Sequence, residues 1–69
     1  MNDLKTWLSA SGAAEFLDVS ADTIHRRAIP WQDSPVRGRI RFMLLKLGEG
    51  TRMERRYHKP DLEALLVPA

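Results

Sequence analysis

The 69-residue chain has no cysteine. That excludes a disulfide framework, a thiolate-ligated zinc site and a thiol nucleophile. It has only two histidines, His25 and His58, far apart in sequence and poor material for a structural metal site. No apolar run approaches the ~20 residues a membrane span needs. The opening MNDLKTWLSA has neither the basic start nor the apolar centre of a signal peptide. There is no Gly-rich phosphate loop, no paired metal-ligand spacing and no Ser-His-Asp set that must converge, and little volume for a pocket. A cytoplasmic, soluble protein is expected, with no membrane attachment, no metal, no cofactor and no catalysis. A chain of this length makes one domain, residues 1–69. Such a domain buries only ~60% of its unfolded surface, so helix and sheet packing must supply a thin core.

Charge is present but unevenly placed. The net charge is only +2, yet residues 25–59 hold ten of the eleven Lys and Arg against Asp33, Glu49 and Glu54. Both ends are net acidic. A concentrated basic segment is the electrostatic footprint of a polyanion binder.

Leu4, Trp7 and Leu8 suit either one short helical turn or an extended arm packed by Trp7. A helix is expected over about 10–17, with Ser9 as N-cap and Ser11 as the alternative. Ala13, Ala14, Phe16 and Leu17 form its apolar face, and Asp18 and Val19 break the pattern. Ser20 caps a second helix over about 21–29. Asp22 suits its positive end and Arg26 and Arg27 its negative end, and Pro30 stops it. Residues 30–38, PWQDSPVRG, read as a loop. The runs on either side of Gly48-Glu49-Gly50 then read as a β-hairpin, with its turn at Gly48-Glu49 or centred on Glu49-Gly50. In either register Ile40, Phe42, Leu44, Met53, Arg55 and Tyr57 share one face, suited to pack on the helices. Arg39, Arg41, Met43, Leu45, Arg52, Glu54, Arg56 and His58 share the other. In KPDLEALL, Pro60 suits a first helical turn, and Leu62, Leu65 and Leu66 make an apolar stripe that ends before Pro68.

The segment LSASGAAEFLDVSADTIHRR resembles the helix-turn-helix opening of phage excisionases and of MerR-type DNA-binding domains. The matching residues are Leu8, Ser9, Ala13, Ala14, Leu17, Val19, Ser20, Thr23, Ile24 and Arg26. RRYHKPDLEALL is similar to the same families' second wing strand and closing helix, through Tyr57, Asp61, Leu62, Glu63 and Leu66. Two departures stand out: Asp18 occupies the usual turn glycine, and the hairpin is longer than the tight family wing. The implied fold is a small α+β winged helix-turn-helix: two helices, a β-hairpin wing and a C-terminal helix.

In that frame Ala13 and Ala14 let the helices cross closely, with Leu17, Val19 and Ile24 inside the crossing. Ala21, Asp22, His25 and Arg26 then face outward on the helix that enters the major groove. Arg26 suits bidentate pairing with guanine, and His25 suits donation to an acceptor edge. Ser20, Thr23 and Arg27 are placed for phosphate. Asp22 has three candidate roles: accepting from a cytosine amino group, orienting Arg26, or capping. Arg39, Arg41, Arg52 and Arg56 on one wing face repel one another unless phosphates neutralise them. His58 is expected to cap the last helix or touch phosphate. Trp7 and Trp31 are expected to pack, or else to meet a partner.

The expected function is sequence-specific binding of double-stranded DNA. The excisionase resemblance implies an architectural role in site-specific recombination in a phage or mobile element, with copies associating on adjacent sites and bending DNA. The MerR resemblance implies transcriptional regulation as a small repressor. The competing reading is a protein-interaction adapter that uses Trp31, Met43 and Leu45 to dock an integrase, another recombinase, a terminase or a polymerase.

Overall fold

The structure is a computed structural model and describes residues 6–46, 48–50 and 53–68. Two helices open the fold, α1 over Ala10–Leu17 and α2 over Ala21–Arg26. Each starts on a serine. The Ser9 hydroxyl accepts from the Gly12 amide at 3.0 Å and the Ser20 hydroxyl from the Thr23 amide at 3.2 Å, satisfying amides that have no partner within the helix. Asp18 ends α1 in the left-handed region, at φ 58° and ψ 48°. The neighbouring Val19 amide returns to the Ala14 carbonyl at 2.9 Å. The left-handed residue reverses the chain within three residues, a task usually given to glycine.

The sheet has four strands in the order β1-β4-β3-β2. Strands β3, Ile40–Lys46, and β4, Met53–His58, form the antiparallel hairpin. Phe42 lies opposite Tyr57 and Lys46 opposite Met53, which is the register centred on Glu49-Gly50. Trp7–Leu8 is a short strand, β1, antiparallel to β4, so the extended arm is what forms. Trp7 pairs with His58 and Leu8 with Tyr57.

The second helix is shorter than its expected span of 21–29. It ends at Arg26, and Ala28–Pro30 form β2, parallel to β3. The Ile40 amide donates to the Arg27 carbonyl at 2.9 Å and the Trp31 amide to the Phe42 carbonyl at 3.0 Å. These bonds give the backbone after α2 partners that further helix would have supplied internally. β2 lies at the sheet edge, where Pro30 with no amide proton is tolerated.

The last helix, α3, spans Lys59–Glu63. Beyond it the Leu65 and Leu66 amides bond to the carbonyls of Leu62 and Glu63, a tightening to i→i+3 geometry. Leu62 is buried and Leu65 half-buried, but Leu66 is exposed, so the expected three-leucine stripe is only partly used. Among the described residues no helix is long and apolar enough to cross a membrane.

The core comprises Ala13, Ala14, Ile24, Ile40, Tyr57 and Leu62, with Leu8, Leu17 and Phe42 packed against it. Ala13 and Ala14 keep α1 close to its neighbours, as expected. Val19 lies at the exposed rim and not inside the crossing. The two sheet faces follow the expected alternation. Only the proximal half of the hairpin is covered: Leu44 and Met53, on the helix-facing side, are 56% and 49% exposed. Among the described residues the result is a small α+β fold of three helices and a four-stranded mixed sheet.

Candidate nucleic-acid interface

Helix α2 presents Ala21, Asp22, His25 and Arg26 to solvent, with Arg27 beside them and Thr23 half-buried. The hydroxyls of Ser20 and Thr23 lie 3.0 Å apart, and both belong to the cap of the helix. Asp22 meets Arg26 one turn later at 2.8 Å, with 78% of the arginine side chain and 69% of the aspartate exposed. Of the three roles open to Asp22, the geometry shows the orienting one. So exposed an i,i+4 pair contributes only about 0.3–0.5 kcal/mol. It restricts where the Arg26 guanidinium points more than it stabilises the helix.

His25 is exposed on one side and tied down on the other. Its Nδ1 lies 2.9 Å from the Tyr57 hydroxyl on β4, which fixes α2 against the hairpin. At the end of α2, Arg39 donates to the Arg26 carbonyl at 3.1 Å. This places a cation at the negative helix end. Arg27 reaches the Gly38 carbonyl at 3.4 Å. Arg39 therefore belongs with the end of α2 and not with the hairpin strands.

Arg41 is committed elsewhere. Its Nε donates to Asp61 Oδ2 at 2.9 Å, its Nη2 to Oδ1 at 3.2 Å and its backbone amide to Oδ2 at 3.0 Å. Its guanidinium also lies 4.3 Å from the Trp31 ring centre. With 15% of its side chain exposed, it is not free to meet phosphate as the alternation of the strand implied. Asp61 supplies the acceptor that β3 lacks where β4 turns into α3. Partial burial acts to raise the Asp61 pKa. The hydrogen bonds from Arg41 and His58, with the Arg41 charge, outweigh it and bring the pKa down to about 2. The same hydrogen bond holds the Arg41 pKa up.

His58 is the residue before α3 but makes no side-chain cap to the helix. Its Nδ1 donates to Asp61 at 3.1 Å. Trp7 and Trp31 pack edge-to-face at 5.1 Å, each within about 5 Å of the His58 ring. This cluster packs Trp7 on the sheet face opposite the helices, while Trp31, Met43 and Leu45 stay exposed.

Arg56 is half-buried, with 25% of its side chain exposed, and donates to Glu54 at 3.1 Å. Arg52 lies outside the described residues. Alternation places Arg55 on the helix-facing side. There it is exposed, lining a cleft with the start of α1 and with α2, and its guanidinium lies 4.3 Å from the Phe42 ring centre. The length of the hairpin relative to an eight-residue α1 was the available signal that this face outruns its cover.

An open cleft joins these parts. Ser9, Ala10 and Ser11 of the α1 start, and Ala21 and His25 of α2, line one side. Met53, Glu54, Arg55 and Arg56 of the hairpin line the other. Arg55 and Arg56 are the cations that line it, with Glu54 preceding them in sequence; Arg27 and Arg39 stand at the C-terminal end of α2. Among the described residues there is no group of three His, Cys, Asp or Glu able to hold a metal ion. Compared with models of known families, with curated proteins and with solved structures, the chain matches none.

Proposed function

We propose that the chain is a sequence-specific, non-catalytic DNA-binding protein of winged helix-turn-helix type, with α2 in the major groove and the β3–β4 hairpin as the wing. The observation that carries this reading is the cleft between the α2 face and the hairpin. There a tethered His25 faces the same space as Arg55 and Arg56, and an oriented Arg26 follows His25 on the exposed side of α2. Side chains that reach base edges and side chains that neutralise phosphate are both needed, and they do different work. Arg26 and His25 fit the first task. Arg27, Arg39, Arg55 and Arg56 fit the second.

The resemblance of residues 8–67 to excisionases makes an architectural role in the recombination of a phage or mobile element the preferred biological setting. Copies would then associate on adjacent DNA sites in the cytoplasm. One small module buries only roughly 600–1,000 Å² on DNA, so neighbouring copies would raise affinity. A small MerR-like repressor uses the same surface. The exposed Met43 and Leu45, with Trp31 beside Met43, favour a second contact, with an integrase or other protein partner.

Selection of bound duplexes from random DNA tests the proposal. A recurrent motif is expected, with affinity that falls steeply as salt rises. Failure to enrich any motif, with affinity indifferent to salt, would overturn it and leave the adapter role.

A further inference from the structure

We infer that Tyr57 is a positioning residue that fixes the tautomer of His25, so that His25 presents a hydrogen-bond donor to the cleft and rejects cytosine at the base it faces. The inference rests on the DNA-binding reading for its base and on the structure alone for its tautomer.

Tyr57 is fully buried, with its hydroxyl 2.9 Å from His25 Nδ1. Among the described residues that nitrogen is the one hydrogen-bonding partner the hydroxyl meets. A phenol carries one proton to donate, and a neutral imidazole has one nitrogen free to accept it. Were Nδ1 protonated and donating to the phenol oxygen, the phenol proton would be left in the interior without an acceptor. An unmet buried donor is the more costly arrangement. The hydroxyl therefore donates to Nδ1, and the imidazole proton resides on Nε2. The two rings meet at 67° with centres 6.2 Å apart. With Nδ1 held on Tyr57, Nε2 is at the ring edge away from that bond, and His25 is exposed and lines the cleft.

His58 supplies the contrast. Its Nδ1 lies 3.1 Å from Asp61, and a carboxylate can only accept, so there the proton is on Nδ1. The two histidines of this chain hold opposite tautomers, each set by a partner on its Nδ1 side.

A donor at Nε2 has a readable consequence. In the major groove guanine, adenine and thymine each offer an acceptor, whereas cytosine offers only its N4 amino donor. His25 with a proton on Nε2 thus accepts three bases and opposes the fourth. The other tautomer would accept from cytosine and lose the discrimination.

The test uses the full chain with Tyr57→Phe, which keeps the ring in the core and removes only the hydroxyl, and with His25→Ala, which strips the Tyr57 hydroxyl of its acceptor and is therefore checked for folding by circular dichroism. In ¹H–¹⁵N spectra at a pH where both rings are neutral, His25 should show the Nε2–H pattern and His58 the Nδ1–H pattern. Tyr57→Phe should turn His25 into a mixture and leave His58 unchanged. In site selection, one position of the motif should disfavour cytosine by about 5- to 10-fold. Both variants should relax that position alone, and Tyr57→Phe should add nothing in the His25→Ala background. A His25 pattern that is Nδ1–H, or that Tyr57→Phe does not change, overturns the inference. Intact DNA binding with cytosine equally tolerated by the unmodified chain overturns its base-reading half while sparing the DNA reading. Absence of binding to any duplex overturns both that half and the DNA reading.

Discussion

Asp61 on α3 accepts three hydrogen bonds from Arg41 on β3, two from the guanidinium and one from the backbone amide, at 2.9–3.2 Å. One carboxylate thereby joins the last helix to the centre of the sheet. It also takes a cation out of the exposed face of the hairpin.

This carboxylate titrates against stability. Its pKa is about 2 in the folded chain, below the ordinary aspartate value of 3.8. As pH falls, the unfolded chain takes up the proton first. The contribution is complete above about pH 4 and is lost as pH falls through about 2. Allowing for partial solvent screening, it amounts to about 1–2 kcal/mol. Urea unfolding measured from pH 5 to 2 should show this acid limb, and Asp61→Asn should flatten it while lowering stability at neutral pH.

Arg41 and Arg56 should separate into different roles. Arg41→Ala leaves Asp61 without its main partner and should cost about 1–3 kcal/mol of unfolding free energy. Arg56→Ala should change stability by about 0.5 kcal/mol or less. It should weaken binding to every duplex alike and lower the salt slope by about one unit. Thermal melts with affinities at several salt concentrations check both. Equal loss of fold stability in the two variants would contradict the assignment.

Arg26→Ala should act on sequence preference. On the selected site it should cost about 1–3 kcal/mol and relax one or two positions. Scrambled duplex should lose less. Asp22→Ala should give a weaker version of the same profile, because the guanidinium remains but is no longer oriented. Competition between cognate and scrambled duplexes measures the difference; a uniform loss on both would move Arg26 to the phosphate set.

Asp18 holds a left-handed conformation without being glycine. Asp18→Gly should stabilise the fold by about 0.5–1 kcal/mol through relief of that backbone strain, offset in part by the greater freedom of the unfolded chain. For a domain of this size that corresponds to a rise in Tm of about 2–8 °C. A calorimetric scan showing a lower Tm would mean that the Asp18 side chain stabilises the turn more than its backbone strains it.

The sequence by itself determined what depends on neighbours a few residues away. Ser9 and Ser20 cap helices at amides three positions on, so α1 and the start of α2 were legible from residue type and spacing. Alternation assigned the hairpin faces because side chains in a strand reverse at every step. The Asp22–Arg26 pair was legible for the same reason, since one helical turn separates them.

Only the tertiary structure decided what depends on which distant segments meet. Ala28–Pro30 became strand because Ile40–Phe42 lay alongside to receive it, and no local pattern marks that pairing. Arg41 and Arg56 look alike in sequence, two cations on one face of a hairpin. Asp61 lies 20 residues from Arg41, and its arrival at the point where β3 loses its neighbour separates the two in role. His25 acquires its tautomer from Tyr57, 32 residues away. Propensity and alternation act over a few residues, whereas the partner of a buried polar group is chosen by packing of the whole chain. The charge of the candidate site was therefore readable beforehand, but which of its cations stand free was not.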